Sequence, residues 1–114
     1  MPAPDRGDLV FVDFNPQAGH EQAGQRPGIV LSPKAFNEAT GFATVCPITT
    51  QKKGYPFEVE LPEGLNISGV ILTDQQKNLD WRARNFRIRD HAPDHVTDDC
   101  VAKIHTFVNY SEYY

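Results

Sequence analysis

Read as apolar and polar positions, the chain breaks into short β-type runs followed by one segment of helical period. LVFVDF (9–14) is a β-rich run, and the turn-prone NPQAGHEQAGQRP follows it. GIVL (28–31) predicts a second strand. Ser32 and Pro33 then suit the N-cap and first position of a brief helix, Pro33 to about Ala39, ending near Gly41. FATVCPI (42–48) reads as strand three, with Pro47 marking its end as an edge or bulge. After the loop TTQKKGYP, FEVEL (57–61) alternates cleanly, as a half-buried strand does. GVILTDQQKNLDW (69–81) predicts one long strand bent after Asp74. In NFRIRDH (85–91), Phe86 and Ile88 alternate with Arg87 and Arg89, which predicts a strand with one basic face.

The last segment changes period. Val96, Cys100, Ile104 and Phe107/Val108 recur every three or four residues and mark one face of an amphipathic helix. Asp98 and Asp99 are expected in its first turn, where they would complement the helix dipole. The tail NYSEYY reads as a frayed end or a partner contact. Many short strands with one closing helix point to a small, strongly bent antiparallel sheet or barrel, mainly β, in a single domain over 1–114.

Composition narrows the function classes. With 39% hydrophobic and 23% charged residues, the chain has an ordinary globular balance. No run approaches the roughly 18 apolar residues of a membrane span, and MPAPDRGD lacks the build of a secretory signal. Cys46 and Cys100 sit in apolar patterns and read as small core residues, so a reducing cytoplasm is the expected location. A net charge of −4 argues against non-specific coating of nucleic acid. The charge is uneven, however: Lys77, Arg82, Arg84, Arg87 and Arg89 face only Asp80 in their segment. A local basic surface on an acidic body suits a grip on a short polyanion, or simply an arginine-rich strand facing water.

The stretch HEQAGQRPG (20–28) holds the most chemistry. It is either a solvated surface loop or an acid–base pair with a cation for an anionic substrate. Glu21 is the best general base there, if burial or a neighbouring charge tunes it. Arg26 is a fixed cation whose proton is held too tightly for easy acid catalysis. Pro27 restricts Arg26 to extended backbone, which aims the guanidinium from a strand entrance. His20 titrates near neutrality and is either a proton donor or a surface histidine without a role. Thr49 is either a site hydroxyl or a turn residue capping its own backbone.

Three blocks in order, DLVFVDFNPQAGHEQAGQRPGIVLSP, VCPITTQKKGYPFEV and GVILTDQQKNLDWRAR, resemble the MazF/PemK/Kid family of toxins from bacterial toxin–antitoxin pairs. The resemblance runs from Gly7 to the C-terminal helix. It implies an SH3-like β-barrel closed by a C-terminal α-helix, a homodimer, and a metal- and cofactor-independent endoribonuclease acting on single-stranded mRNA. A cognate MazE-like antitoxin would occupy the RNA groove. CcdB-type toxins, which share the fold and poison gyrase without catalysis, lack this pair of loops together.

The resemblance also implies roles. Arg26 matches the catalytic arginine of the RP block, Glu21 the glutamate of the EQ pair, and Thr49 a threonine that contacts the scissile phosphate. His20 matches a histidine placed among the active-site groups in the PemK/Kid branch. The RNA contacts expected on the same blocks are Gln22, Thr50, Gln51, Lys52, Lys53 and Tyr55, then Asp74, Gln75, Lys77 and Arg84. Phe57 alternates toward the core, and Trp81 reads as barrel core or dimer contact. The Kid branch pairs its aspartate with an arginine two residues earlier; here Leu72 stands there, so Asp74 is left to orient Arg26, read a base or serve as a carboxylate at a bend. His91, His95 and His105 match no block and receive no chemistry.

Overall fold

Apolar runs at strand period build a sheet of seven strands among the described residues, with a helix inserted early and another at the end. The computed structural model describes residues 2–14 and 25–108. The elements are β1 (Asp8–Asp13), β2 (Gln25–Val30), α1 (Lys34–Thr40), β3 (Phe42–Thr49) and β4 (Glu58–Glu60). They continue with β5 (Val70–Leu72), a 3₁₀ turn (Thr73–Gln75), β6 (Lys77–Asp80), β7 (Arg87–His91) and α2 (Asp94–Val108). All strand pairs among the described residues are antiparallel, in the order β4-β5-β3-β2-β1-β7, with β6 also on β3. The mainly β class with a C-terminal helix holds, but the described sheet is bent rather than closed into a barrel, because β4 and β7 remain its unpaired ends.

The bend comes from β3. Its first half, Phe42–Val45, pairs with β6, and Ile48 and Thr49 pair with β5. Pro47 falls between those two partners and opposite Gly28 of β2, so its missing N–H sits where the neighbour changes, inside the strand rather than at an edge. The long strand expected over 69–81 is accordingly two, split by the 3₁₀ turn that carries Asp74.

Two cores form, one on each face. Leu9, Ile29, Cys46, Ile48, Ile71 and Val59 pack with Val96 and Cys100 of α2. Val10, Val12, Val30, Val45, Trp81 and Phe86 pack on the opposite face. Gly28 belongs between them, since a Cβ there would stand 2.8 Å from Val45 Cγ1 and 3.1 Å from the Cys46 carbonyl oxygen. Both cysteines are buried, and burial pushes the Cys100 thiol up to about 12. They pack as core residues, as the pattern predicts.

Several local expectations change. Ser32 does not cap α1; Pro33 occupies the N-cap without a side-chain bond. The Ser32 hydroxyl instead donates to buried Asn37 Oδ1 and accepts from the Thr44 N–H. Asn37 is the polar hub that patterning did not show, and its carbonyl also accepts from Trp81 Nε1 at 2.9 Å. Helix α2 begins at Asp94, one turn earlier than expected, so Asp94 is its first-turn acid and Asp98 pairs with Arg6 at 3.0 Å. The basic-face strand is an edge strand: Arg87, Ile88 and Arg89 are all exposed, because only β1 covers β7.

Candidate active site

Register decides which side chains share a face. Thr49 pairs with Val70, and Val70 with Glu60; Leu72 pairs with Glu58. These residues therefore project opposite to Ile48, Ile71 and Val59, whose face is packed against α2. Neither core cluster includes Thr49, Glu58, Glu60 or Leu72, nor Val70, and the loop from Thr50 to Phe57 supplies the further residues on their side.

Six residues expected from sequence to serve the site border one cavity of about 300 Å³: Thr49, Gln51, Lys53, Tyr55, Asp74 and Gln75. Glu58 and Leu72 complete it. Thr50 and Lys52 border a neighbouring cavity of about 270 Å³ with Glu60 and Val70. The two lysines of the KK pair thus border different cavities, although adjacent in sequence.

Hydrogen bonds shape the loop. Both Glu58 oxygens accept backbone N–H groups, from Lys53 at 3.0 Å and Gly54 at 2.9 Å. Glu58 was not among the sequence candidates; the signal for it is the facing of two lysines (52, 53) by two alternating glutamates (58, 60) across one tight loop. Lys52 pairs with Glu60 at 2.8 Å, an exposed pair that contributes little to stability. Thr49 Oγ1 accepts from the Gln51 N–H at 3.2 Å, the local turn bond, and its hydroxyl proton is still available to a ligand. Tyr55 donates its hydroxyl to Asp74 Oδ1 at 2.8 Å. Burial, then that bond, pushes the Tyr55 phenol up to about 12, so it remains a donor at any physiological pH. Asp74 therefore bonds across the cavity to the loop, not to an arginine two residues before it, where Leu72 stands.

The cations are placed by β1, β2 and β6. Arg26 is exposed on β2, opposite Val12. The β2–β3 pairing runs from Val30 against Val45 to Gly28 against Pro47, so Arg26 and Thr49 each lie two residues past its last pair, at the same end of the two strands. Lys77 is half-buried opposite Val45. Arg84 stands apart from the cavity: its guanidinium donates to the Asp13 carbonyl at 3.0 Å, fixing the end of β1. Trp81 is buried in the core, and Phe57 is half-buried between Tyr55 and Phe107 rather than free to stack a base. His20, Glu21 and Gln22 lie outside the described residues, as does the tail from Asn109 to Tyr114.

The arrangement is a cleft in which a hydroxyl, a phenol, amides and one lysine surround two carboxylates, Glu58 and Asp74. Its hydroxyl, phenol and amide groups can hydrogen-bond a polar ligand, while the two carboxylates are already engaged by the loop N–H groups and the Tyr55 hydroxyl. Residues 5–108 match the family model of the PemK-like, MazF-like toxin of type II toxin–antitoxin systems. The endoribonuclease toxin MazF of Escherichia coli K12 is 57% identical over 81 residues, covering 71% of this chain and 72% of that protein. A crystal structure of MazF from Deinococcus radiodurans superposes with a TM-score of 0.90 at 48% identity, over 94% of this chain and 97% of that one. A MazE–MazF complex from the same organism superposes with a TM-score of 0.82 at 41% identity, over 94% and 96%.

Proposed function

We propose that this chain, which belongs to the PemK-like, MazF-like toxin family of type II toxin–antitoxin systems, is an endoribonuclease that cuts single-stranded mRNA through the neighbouring 2′-hydroxyl. The observation that supports the site is the cavity bordered by Thr49, Gln51, Lys53, Tyr55, Asp74 and Gln75, with Arg26 on β2 and Thr49 on β3 each two residues past the last pair of those strands. In the reading, Glu21 takes the 2′-hydroxyl proton and the 2′-oxygen attacks phosphorus. Arg26 and the Thr49 hydroxyl meet the charge gathering on the phosphorane oxygens. The bond to the 5′-oxygen breaks, and His20 supplies that oxygen with a proton. The products are a 2′,3′-cyclic phosphate and a 5′-hydroxyl, without water or metal. Gln22, Thr50, Lys52 and Lys77 are assigned to flanking nucleotides. Arg84 is assigned to the same strand only through the β1 end that it fixes.

A MazE-like antitoxin is the assigned protein partner, supported by the Deinococcus complex, and the working form is a homodimer in the cytoplasm. The test is direct. Purified protein with EDTA should cleave a single-stranded RNA at a recurring short sequence and leave cyclic phosphate ends. Loss of all activity in EDTA, with recovery on adding a divalent ion, would refute the metal-free route. A pH–rate profile of wild type against His20→Ala decides the proton donor; superimposable curves would remove His20.

A further inference from the structure

The loop that supplies Gln51, Lys53 and Tyr55 to the cavity has little sheet to hold it. Residues 50–57 form no strand, and β4, which follows, is a three-residue edge strand paired only with β5. Backbone bonds hold only its far end, from the Thr73 N–H to the Phe57 carbonyl and the Glu58 N–H to the Tyr55 carbonyl; the rest of its support comes from side chains, two of which stand on the last turns of α2. Phe107 meets Phe57 edge-on at 5.4 Å between ring centroids, and Phe57 in turn meets Tyr55 at 6.3 Å. Lys103 Nζ donates to the Pro56 carbonyl at 2.6 Å. Lys103 is half-buried on the same stripe as Cys100, Ile104 and Phe107, where an apolar residue would serve packing alone. A cation on that stripe, aimed at a loop carbonyl, has a positioning role to explain it.

We propose that Phe107 and Lys103 are positioning residues for RNA binding: they tie the 51–57 loop to α2, so that Lys53 and Tyr55 stay aligned with the cavity. This rests on the endoribonuclease reading above. Two of the groups assigned to bond breaking, Arg26 and Thr49, sit on β2 and β3, outside the tied loop. Loosening the loop should therefore weaken substrate binding more than the chemical step. A purely structural role would instead lower the folded fraction, leaving KM unchanged.

The experiment compares Phe107→Ala and Lys103→Met with wild type, using one cleavable single-stranded RNA and amide hydrogen exchange. Each variant should raise KM on the order of tenfold, with kcat changed about twofold or less. Exchange should accelerate over 51–57 while the Val96–Cys100 turn stays protected. Phe107→Tyr and Lys103→Arg should recover KM, and Val101→Ala, on the outer side of α2, should match wild type. Unchanged KM and unchanged exchange over 51–57 would overturn the proposal. So would a uniform loss of protection with unchanged KM. If the wild-type protein cleaves no RNA, the endoribonuclease reading fails, and the exchange pattern still decides whether α2 holds the loop.

Discussion

Replacing Asn37 with alanine tests the fold at its most connected polar point. Asn37 is fully buried; its Nδ2 donates to the Pro4 carbonyl at 2.8 Å and the Ser32 carbonyl at 3.0 Å, and its Oδ1 accepts from the Ser32 hydroxyl. Three net hydrogen bonds at about 1 kcal/mol each, plus the cost of stranding buried carbonyls, give a loss of about 3–5 kcal/mol. Against a stability of about 5–15 kcal/mol for such a domain, the variant should still fold at room temperature. At about 4 °C per kcal/mol for a chain of this size, Tm should fall by about 12–20 °C. The single tryptophan, Trp81, is buried and bonded to the Asn37 carbonyl, so its emission reports unfolding directly. Urea titrations at one fixed protein concentration measure the difference. Asn37→Asp separates bonding from volume: it keeps the size but turns an oxygen toward two carbonyls, and should cost at least as much as alanine. A loss below about 1 kcal/mol for Asn37→Ala would refute the assignment of Asn37 as the hub.

Arg26→Ala should lower kcat for RNA cleavage by about 10²–10³-fold, with an unchanged urea midpoint because the side chain is exposed; a folded, fully active variant removes the central cation. Gly69→Ala should destabilise by about 1–3 kcal/mol and lower activity, since φ is +129° and a Cβ would stand 2.4 Å from the Thr49 carbonyl oxygen; wild-type melting and cleavage would refute that link. Tyr55 should titrate near 12, read as an ultraviolet difference between wild type and Tyr55→Phe. Because its folded value lies above the ordinary 10, the neutral phenol favours the fold below pH 10, and that contribution is lost as pH rises toward 12. A phenol titrating at 10 would mean that neither the burial of Tyr55 nor its bond to Asp74 persists in solution.

The apolar runs and their periods are local properties, so strands over 9–14, 42–48 and 57–61, the two helices and the buried cysteines were legible from sequence alone. So were the loop blocks, because TTQKKGYP and DQQ carry their polar residues on turns whatever the surroundings. What no local pattern carries is the partner of each strand. Only pairing shows that β3 hands over from β6 to β5 at Pro47, which breaks the expected 69–81 strand and swings Asp74 toward Tyr55. Edge position likewise decides that Ile88 is exposed although it alternates like a core residue, since a period of two specifies faces but not whether a face is covered. The same register, read across β2 and β3, brings Arg26 and Thr49, 23 residues apart along the chain, to the same end of two neighbouring strands. Candidate groups were thus a matter of sequence, and their meeting a matter of long-range pairing, because side chains that share a site are joined through the sheet and not along the backbone.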